Sequence, residues 1–285
     1  MRGCWSIAWK IFIDETVMPL HHFLPQFYLK QWFDPASIAP RRTPYLWKIS
    51  RDGQQRRQRH PAHRDFSIED GNTLESVTGE RTERVENLLA RVEGVAARVL
   101  RDCIPHRLPL DRDQADALNM FFSSMLVRVP AARAAWQAGV AAMARIERET
   151  AEAHDRPVPD TRLYEVNAAA HSAHSALVAI LPELDQMTHR IVRAPEGETF
   201  ITSDRPALIW APVGFAGLAN RSCEATLPLS PKALLLLTHE GVDASGYADV
   251  RAQDVRMWNQ RTRAHCSEWF ISDRREAEWF DSPVP

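Results

Sequence analysis

Through most of the stretch from Glu75 to Ile180, apolar residues recur every third or fourth position, a period that a helix can use and a strand cannot. Val85, Leu88, Leu89, Val92, Val95, Ala96 and Val99 mark the first run, which the spacing places between about Glu75 and Leu100. Asp111 is a ready cap for a second, longer helix. That helix should run from DQADALNMFFSSMLVRV through AARAAWQAGVAAMARIERETAEAH, with a kink at Pro130, because proline removes one helical hydrogen bond. DRPVPD ends it, and an alanine-rich run from about Thr161 to Ile180 predicts a third helix.

The flanks read differently. HHFLPQFYLKQWF suits a short helix with Pro25 in its first turn, His21 and His22 at its entrance and Asp34-Pro35 as its stop. TPYLWKIS alternates apolar and polar residues, RDG supplies a turn, and QQRRQRH returns as the partner strand. Beyond Pro182, HRIVRAP and GETFITSD predict a hairpin around Glu196-Gly197, and ALIWAP and KALLLLTH are further short apolar runs. A last helix from about Gln253 to His265 precedes EWFIS, a closing strand. The expected fold is therefore α+β, with a mostly helical centre of long packed helices and short antiparallel strands near the N- and C-terminal ends. Residues 18–285 should make one domain. Residues 1–17 mimic the start of a signal peptide, but Lys10 breaks the apolar run, Asp14 and Glu15 follow, and no small-residue cleavage site appears. The segment reads as an extension assigned in error ahead of a true start at Met18.

Composition narrows the function more than the fold. A net charge of −2 gives no global attraction to nucleic acid or an anionic membrane, and no run is long and apolar enough to span a bilayer. Arg far outnumbers Lys, as a GC-rich genome or phosphate recognition would each produce. Cys4, Cys103, Cys223 and Cys266 are scattered without paired spacing. This argues against a zinc ribbon or a disulfide framework and for a reducing compartment, the cytoplasm. No Walker loop, GxGxxG, GxSxG or HExxH occurs, and eleven glycines supply little for a phosphate cradle.

Five polar features stand out from these segments. In HHFLPQ, His22 at a helix start can serve as base, metal ligand or anion donor, and Gln26 lies where its amide reaches a bound group. The plainer reading has one histidine capping the helix and the other packing on Trp32 or Phe33. Glu86 and Glu93 are seven residues apart and share a helix face beside the apolar stripe. They are either metal ligands or a solvated edge paired to Arg91 or Arg98. Arg128 lies within an apolar run and needs an anionic partner, whether Glu86 or Glu93 or a substrate phosphate or carboxylate. Asp204, in FITSDRP, ends a strand before a Pro-fixed turn and is either a functional residue or an ordinary turn former. Ser230 and Lys232 in LPLSPK give only a weak nucleophile signal.

Taken in order, HHFLPQFYLKQW, RVENLLARVEG, RVP, FITSDRP, LPLSP and a late WNQ helix resemble the bacterial family of unknown function numbered 4238, from about Leu20 to Ser272. The resemblance places that family's motifs on His22 and Pro25, Glu86 and Glu93, Arg128 and Pro130, and Ser203, Asp204 and Pro206. It implies one continuous domain and a start at Met18, and it supplies no function. The residues themselves lead to the expectation that His22, Glu86, Glu93, Arg128 and Asp204 converge. The site would be that of a hydrolase acting on a phosphodiester or similar anionic substrate, a nuclease in microbial conflict being one form. Glu86, Glu93 and Asp204 would hold Mg²⁺ or Mn²⁺, His22 would be the base, and Arg128 would stabilise developing charge. The competing expectation is a non-enzymatic binding module whose buried charges fix the fold.

Overall fold

The computed structural model describes residues 20–69, 71–239, 246–277 and 280. The segment 1–17, with Trp5 and Trp9, lies outside the described residues, as do the side chains of 171–178. The chain opens with β1 (Leu20–His22) and α1 (Gln26–Leu29), the latter continued by a 3₁₀ turn at Lys30–Trp32. β2 (Leu46–Ser50) and β3 (Arg56–Arg59) form the expected hairpin, with Gly53 at φ +83° in its turn, a conformation that glycine adopts without penalty. β4 (Ser67–Glu69) pairs antiparallel with β1, setting Ser67 opposite His22. A two-residue hairpin, β5 (Leu74–Glu75) and β6 (Arg81–Thr82), occupies the start of the first helical stretch, so α2 runs only from Arg84 to Arg98. α2 then widens into a π-helical turn at Val99–Cys103.

Three helices follow where one kinked helix and a third were expected: α3 (Arg112–Val127), α4 (Pro130–Ala153) and α5 (Arg162–Leu184). Asp111 and Gln114 close a reciprocal capping box on α3. Pro130 does not kink a helix; it begins one. The residue before a proline avoids helical geometry, and Val129 is extended at φ −72° and ψ 150°, while a proline at the first helical position gives up no hydrogen bond. α2 packs on α3, whereas α4 leans on α5, so the two long helical stretches do not form the single packed pair anticipated.

The strands that complete the fold are β7 (Thr188–Arg193), β8 (Thr202–Ser203), β9 (Leu208–Trp210), β10 (Glu224–Ser230), β11 (Ala233–Thr238) and β12 (Gly246–Asp249). After them come α6 (Ala252–His265) and β13 (Trp269–Ser272). A five-stranded sheet, in the order β12-β7-β11-β10-β9, forms a wall of the main core, and its β12 and β7 run parallel. The expected arrangement, a helical centre with short antiparallel strands only near the ends, is therefore wrong. The described residues are 42% helix and 21% strand, with multi-stranded sheets spread through them. The reason lies in β11, where Leu234, Leu235, Leu236 and Leu237 are all buried. Leu235 and Leu237 join the main core, while Leu234 and Leu236 pack with Phe200, Val255 and Trp258 on the other face. A strand covered on both faces reads as an unbroken apolar run and belongs to the middle of a sheet. The predicted hairpin around Glu196-Gly197 fails for the same reason. Gly197 does turn, at φ +83°, but β7 pairs with β11 and β12, and β8 pairs with β13 in a second sheet, ordered β3-β2-β13-β8.

The main core lies between these sheets and α3, whose Leu118, Phe121, Phe122 and Met125 are fully buried. Each such side chain contributes roughly 1.5–3 kcal/mol by leaving water. Tyr28 of α1 ties the layers together: its hydroxyl meets Thr202 Oγ1 at 2.6 Å in one sheet and donates to the Pro228 carbonyl at 2.7 Å in the other. This fixes α1, and with it the short strand β1 that precedes it. Among the described residues, no helix is long and apolar enough to cross a membrane.

Candidate functional site

Arg128 terminates α3 with its side chain 1% exposed. A guanidinium removed from water needs strong partners, and it has two. Nη1 donates to Glu93 Oε1 at 2.5 Å, and Nη2 donates to the His22 backbone carbonyl. Its Nε–H is buried and has no hydrogen-bond partner among the described residues. Arg133, in the first turns of α4 and also buried, sits directly beneath. Its Nε donates to the Arg128 carbonyl at 2.8 Å, Nη1 to the Gly71 carbonyl and Nη2 to Asn72 Oδ1.

Asn72 extends the chain of contacts. Its Nδ2 donates to Glu86 Oε2 at 2.5 Å, and its backbone N–H donates to His21 Nδ1 at 3.0 Å. His21 Nε2 lies 3.9 Å from Glu83 Oε1. Successive residues of a strand face opposite ways, which sends His21 into the interior and leaves His22 half-buried. One turn further along, Gln26 Nε2 lies within hydrogen-bond distance of His22 Nε2, at 3.3 Å. On α2, Val85, Leu89, Val92 and Ala96 form the buried stripe, and Glu86 and Glu93 sit half-buried along its edge.

Burial, and then the nearby Arg128 charge, lower the His22 pKa against the pull of Glu86, so the imidazole is neutral at neutral pH. Burial raises the Glu93 carboxyl above its ordinary range, with Arg128 opposing and Glu86 adding to the rise. Burial, with Arg128 alongside, lowers Arg133 to about 10 against the pull of Glu86, which still leaves it charged. The half-buried face therefore presents an imidazole that resists protonation beside a carboxyl that holds its proton more tightly than usual. Two buried cations support both from below.

His22, Gln26, Glu86, Glu93 and Arg128 thus gather in one hydrogen-bonded cluster, and among the described residues no hydrogen bond joins Asp204 to it. Asp204 Oδ1 accepts from the Ser267 N–H at 2.8 Å, and Oδ2 accepts from Glu268 at 2.8 Å and Trp269 at 3.1 Å. Burial raises its pKa while these three amides oppose the rise. It clasps the loop that leads into β13. The expected Mg²⁺ or Mn²⁺ site does not assemble: Glu93 is bound to Arg128, Glu86 to Asn72 and Asp204 to the backbone. Among the described residues, no group of three or more His, Cys, Asp or Glu is placed to hold a metal ion. Lys232 Nζ donates to the Glu198 and Pro195 carbonyls, so it secures the turn at 195–198. Arg133 and Asn72 escaped the sequence reading. AARAAW looks like a solvent-facing helix and DGN like a plain turn, and neither carries a local signal of burial.

The family model described as "Protein of unknown function (DUF4238)" matches residues 20–276, and the chain belongs to that family. No curated protein and no solved structure matches.

Proposed function

We propose that this member of the family is a hydrolase acting on a phosphodiester or similar anionic substrate, with His22 and Glu93 as its proton-transfer pair. One observation carries the reading: the buried guanidinium of Arg128 holds both the Glu93 carboxyl and the backbone of His22. The two groups whose proton affinities are pushed in opposite senses are thereby kept on one rigid support. His22 Nε2, released from its 3.3 Å hydrogen bond with Gln26, takes a proton from the attacking water, and Glu93, in its protonated form, delivers one to the departing oxygen. With Glu93 protonated, Glu86 offsets one of the two cations Arg128 and Arg133, and the net positive charge left on the face suits a singly charged diester. No step runs through a metal. A nuclease in microbial conflict remains one form of this proposal, limited to a small footprint by the net charge of −2. The buried free thiols of Cys103, Cys223 and Cys266 fit the reducing cytoplasm.

The test is incubation of the chain with plasmid, single-stranded DNA, RNA and a chromogenic phosphodiester, in EDTA and in Mn²⁺. Cleavage in EDTA that falls at least about 100-fold in His22→Asn and in Glu93→Gln is expected, the usual scale for losing general acid–base help. Absence of turnover on every substrate, or turnover indifferent to both substitutions, removes the reading. A second reading, a binding module with a structural charge network, is favoured by the fact that every side-chain nitrogen of Arg133 has a protein partner.

A further inference from the structure

A cavity of about 520 Å³ lies beside Lys48, between the sheet β3-β2-β13-β8, strand β4 and the start of α4. Its wall is mainly apolar and its polar groups are tied to one another: Lys48 Nζ donates to Asp65 at 2.8 Å, and Asp204 takes three backbone amides. The apolar surface left open lies elsewhere, on the hairpin of α4 and α5. Of the thirteen large apolar side chains that are exposed among the described residues, six fall between Trp136 and Val166, with Met143 at 65% and Ile146 at 56%. Single exposed apolar residues need no explanation, but a cluster of them marks an interaction surface.

Spacing along α4 gives the cluster its shape. Trp136, Gly139, Met143, Ile146, Thr150 and Ala153 follow one another at steps of three, four, three, four and three, the spacing of a coiled-coil seam, and all six are exposed. No charged side chain falls on the seam, since Arg145, Glu147, Arg148, Glu149 and Glu152 all lie off it. α4 packs on α5 along another side, the one that buries Ala144 and Ala151. Beside the seam, Trp136, Val140 and Met143 run into a groove of about 600 Å³ shared with Tyr164 and Ala168 of α5. A face about 30 Å long and two helices wide, roughly 20 Å, covers on the order of 600 Å² per copy. Two copies would bury about 1,200 Å², which reaches the range of stable interfaces.

We infer that this face joins two copies of the chain through antiparallel α4 helices. The seam is complementary to itself in that direction. With Met143 set against the partner's Gly139, Trp136 falls against the partner's Ile146, so the layer that lacks a side chain is filled by the most adaptable one. A parallel pair would put Gly139 opposite its own copy and leave a void there. Charge agrees with the antiparallel register. Glu149 comes beside the partner's Ala135, and Val140 beside the partner's Val140, so no acidic side chain opposes another. The inference stands apart from the hydrolase reading, because His22, Glu93 and Arg128 are not on this face and its test reads mass rather than turnover.

Sedimentation velocity of the full chain over a range of concentrations tests it. A species of twice the 32.4 kDa of one chain is expected, with a roughly micromolar Kd for an interface of this size. Met143→Glu and Ile146→Glu each put a charge on the seam and should weaken the dimer at least about 100-fold. Both positions are exposed, so the circular-dichroism spectrum should stay that of the parent. Oxidative crosslinking reads the orientation without adding a charge: Trp136→Cys mixed with Ile146→Cys should link unlike chains, and Ile146→Cys alone should not link. A monomer at every concentration, a dimer unmoved by both charge variants, or Ile146→Cys linking to itself overturns the inference. A monomeric full chain beside a dimeric chain that begins at Met18 overturns it too, by making the segment before Met18 the occupant of the face.

Discussion

The arginine cluster and the Lys48 cavity use neighbouring stretches of the same chain and are held together in different ways. His22 belongs to the cluster, while Phe23 and Leu24 line the cavity; Arg128 belongs to the cluster, while Pro130 and Ala131 line the cavity. In the cluster, nearly every buried donor finds a protein acceptor, Arg128 Nε being the exception. In the cavity, whose wall is mainly Phe23, Leu24, Phe66, Ile68 and Ile271, the few polar groups are tied to one another, Lys48 to Asp65 and Asp204 to three amides. A closed set of partners makes a region rigid, and a mainly apolar wall is held by packing alone. The same few residues of backbone supply both.

The strongest way to break this comparison is Arg128→Ala. It strands Glu93 and frees the His22 carbonyl, and should destabilise the chain by roughly 3–5 kcal/mol in urea unfolding. A loss under about 1 kcal/mol would mean that the cluster is not the rigid region described. Glu93→Gln should be milder, because glutamine keeps an oxygen acceptor for Arg128 Nη1 and removes only the charge. Next in size is Asp204→Ala, which leaves three amides of the 267–269 loop without their acceptor. A cost of about 2 kcal/mol follows from one engaged buried carboxylate, and the cavity wall should loosen with it. Unchanged stability would show that the clasp is dispensable.

The smallest effect separates the two regions by pH. Asp65, hydrogen-bonded to Lys48 and Arg59 against the opposing effect of burial, is held at about 2, below its usual 3.8. A depressed carboxyl contributes stability above the unfolded value and loses it as pH falls toward the folded one. Glu93 is raised, so its contribution is full at low pH and is lost as pH rises through its folded value. Melting temperatures from pH 7 to 3 should therefore flatten at the acid end in Asp65→Asn. In Glu93→Gln, the curve should lose a decline on the rising side of the carboxylate range. Parallel curves for the two variants and the parent would sink this assignment.

Local chemistry was legible in the sequence, and choice of distant partner was not. The capping box of Asp111 and Gln114 and the turn at Gly53 depend on residues within four positions, and both are present. That Arg128 would need a carboxylate followed from its apolar neighbours, and Glu93 supplies it. Arg133 gave no warning, since its burial comes from Gly71 and Asn72 rather than from its own helix. The misplaced hairpin at Gly197 is the same failure in strands. β7 and β8 flank a genuine turn, yet the two-sided apolar surface of β11 is the better partner for β7. Asp204 shows the limit for sites: a strand-end aspartate was correctly noticed as unusual, and only its three amide partners reveal that it secures a loop.

The position of β13 bears on how the chain comes into being. β13 is the sole bridge between β2 and β8 in their sheet, with Trp269 opposite Ser50 and Phe270 opposite Ser203. During synthesis the β2–β3 hairpin, with Trp47 and Ile49 on its surface, waits with an unpaired edge until nearly all the described residues have been made. Such an edge is a template for mispairing with other nascent chains. Closure over so long a separation is slow. Yield in the cell should therefore depend on how quickly the last helix and strand are delivered, and a translational pause just before α6 would be more harmful than one at any earlier point.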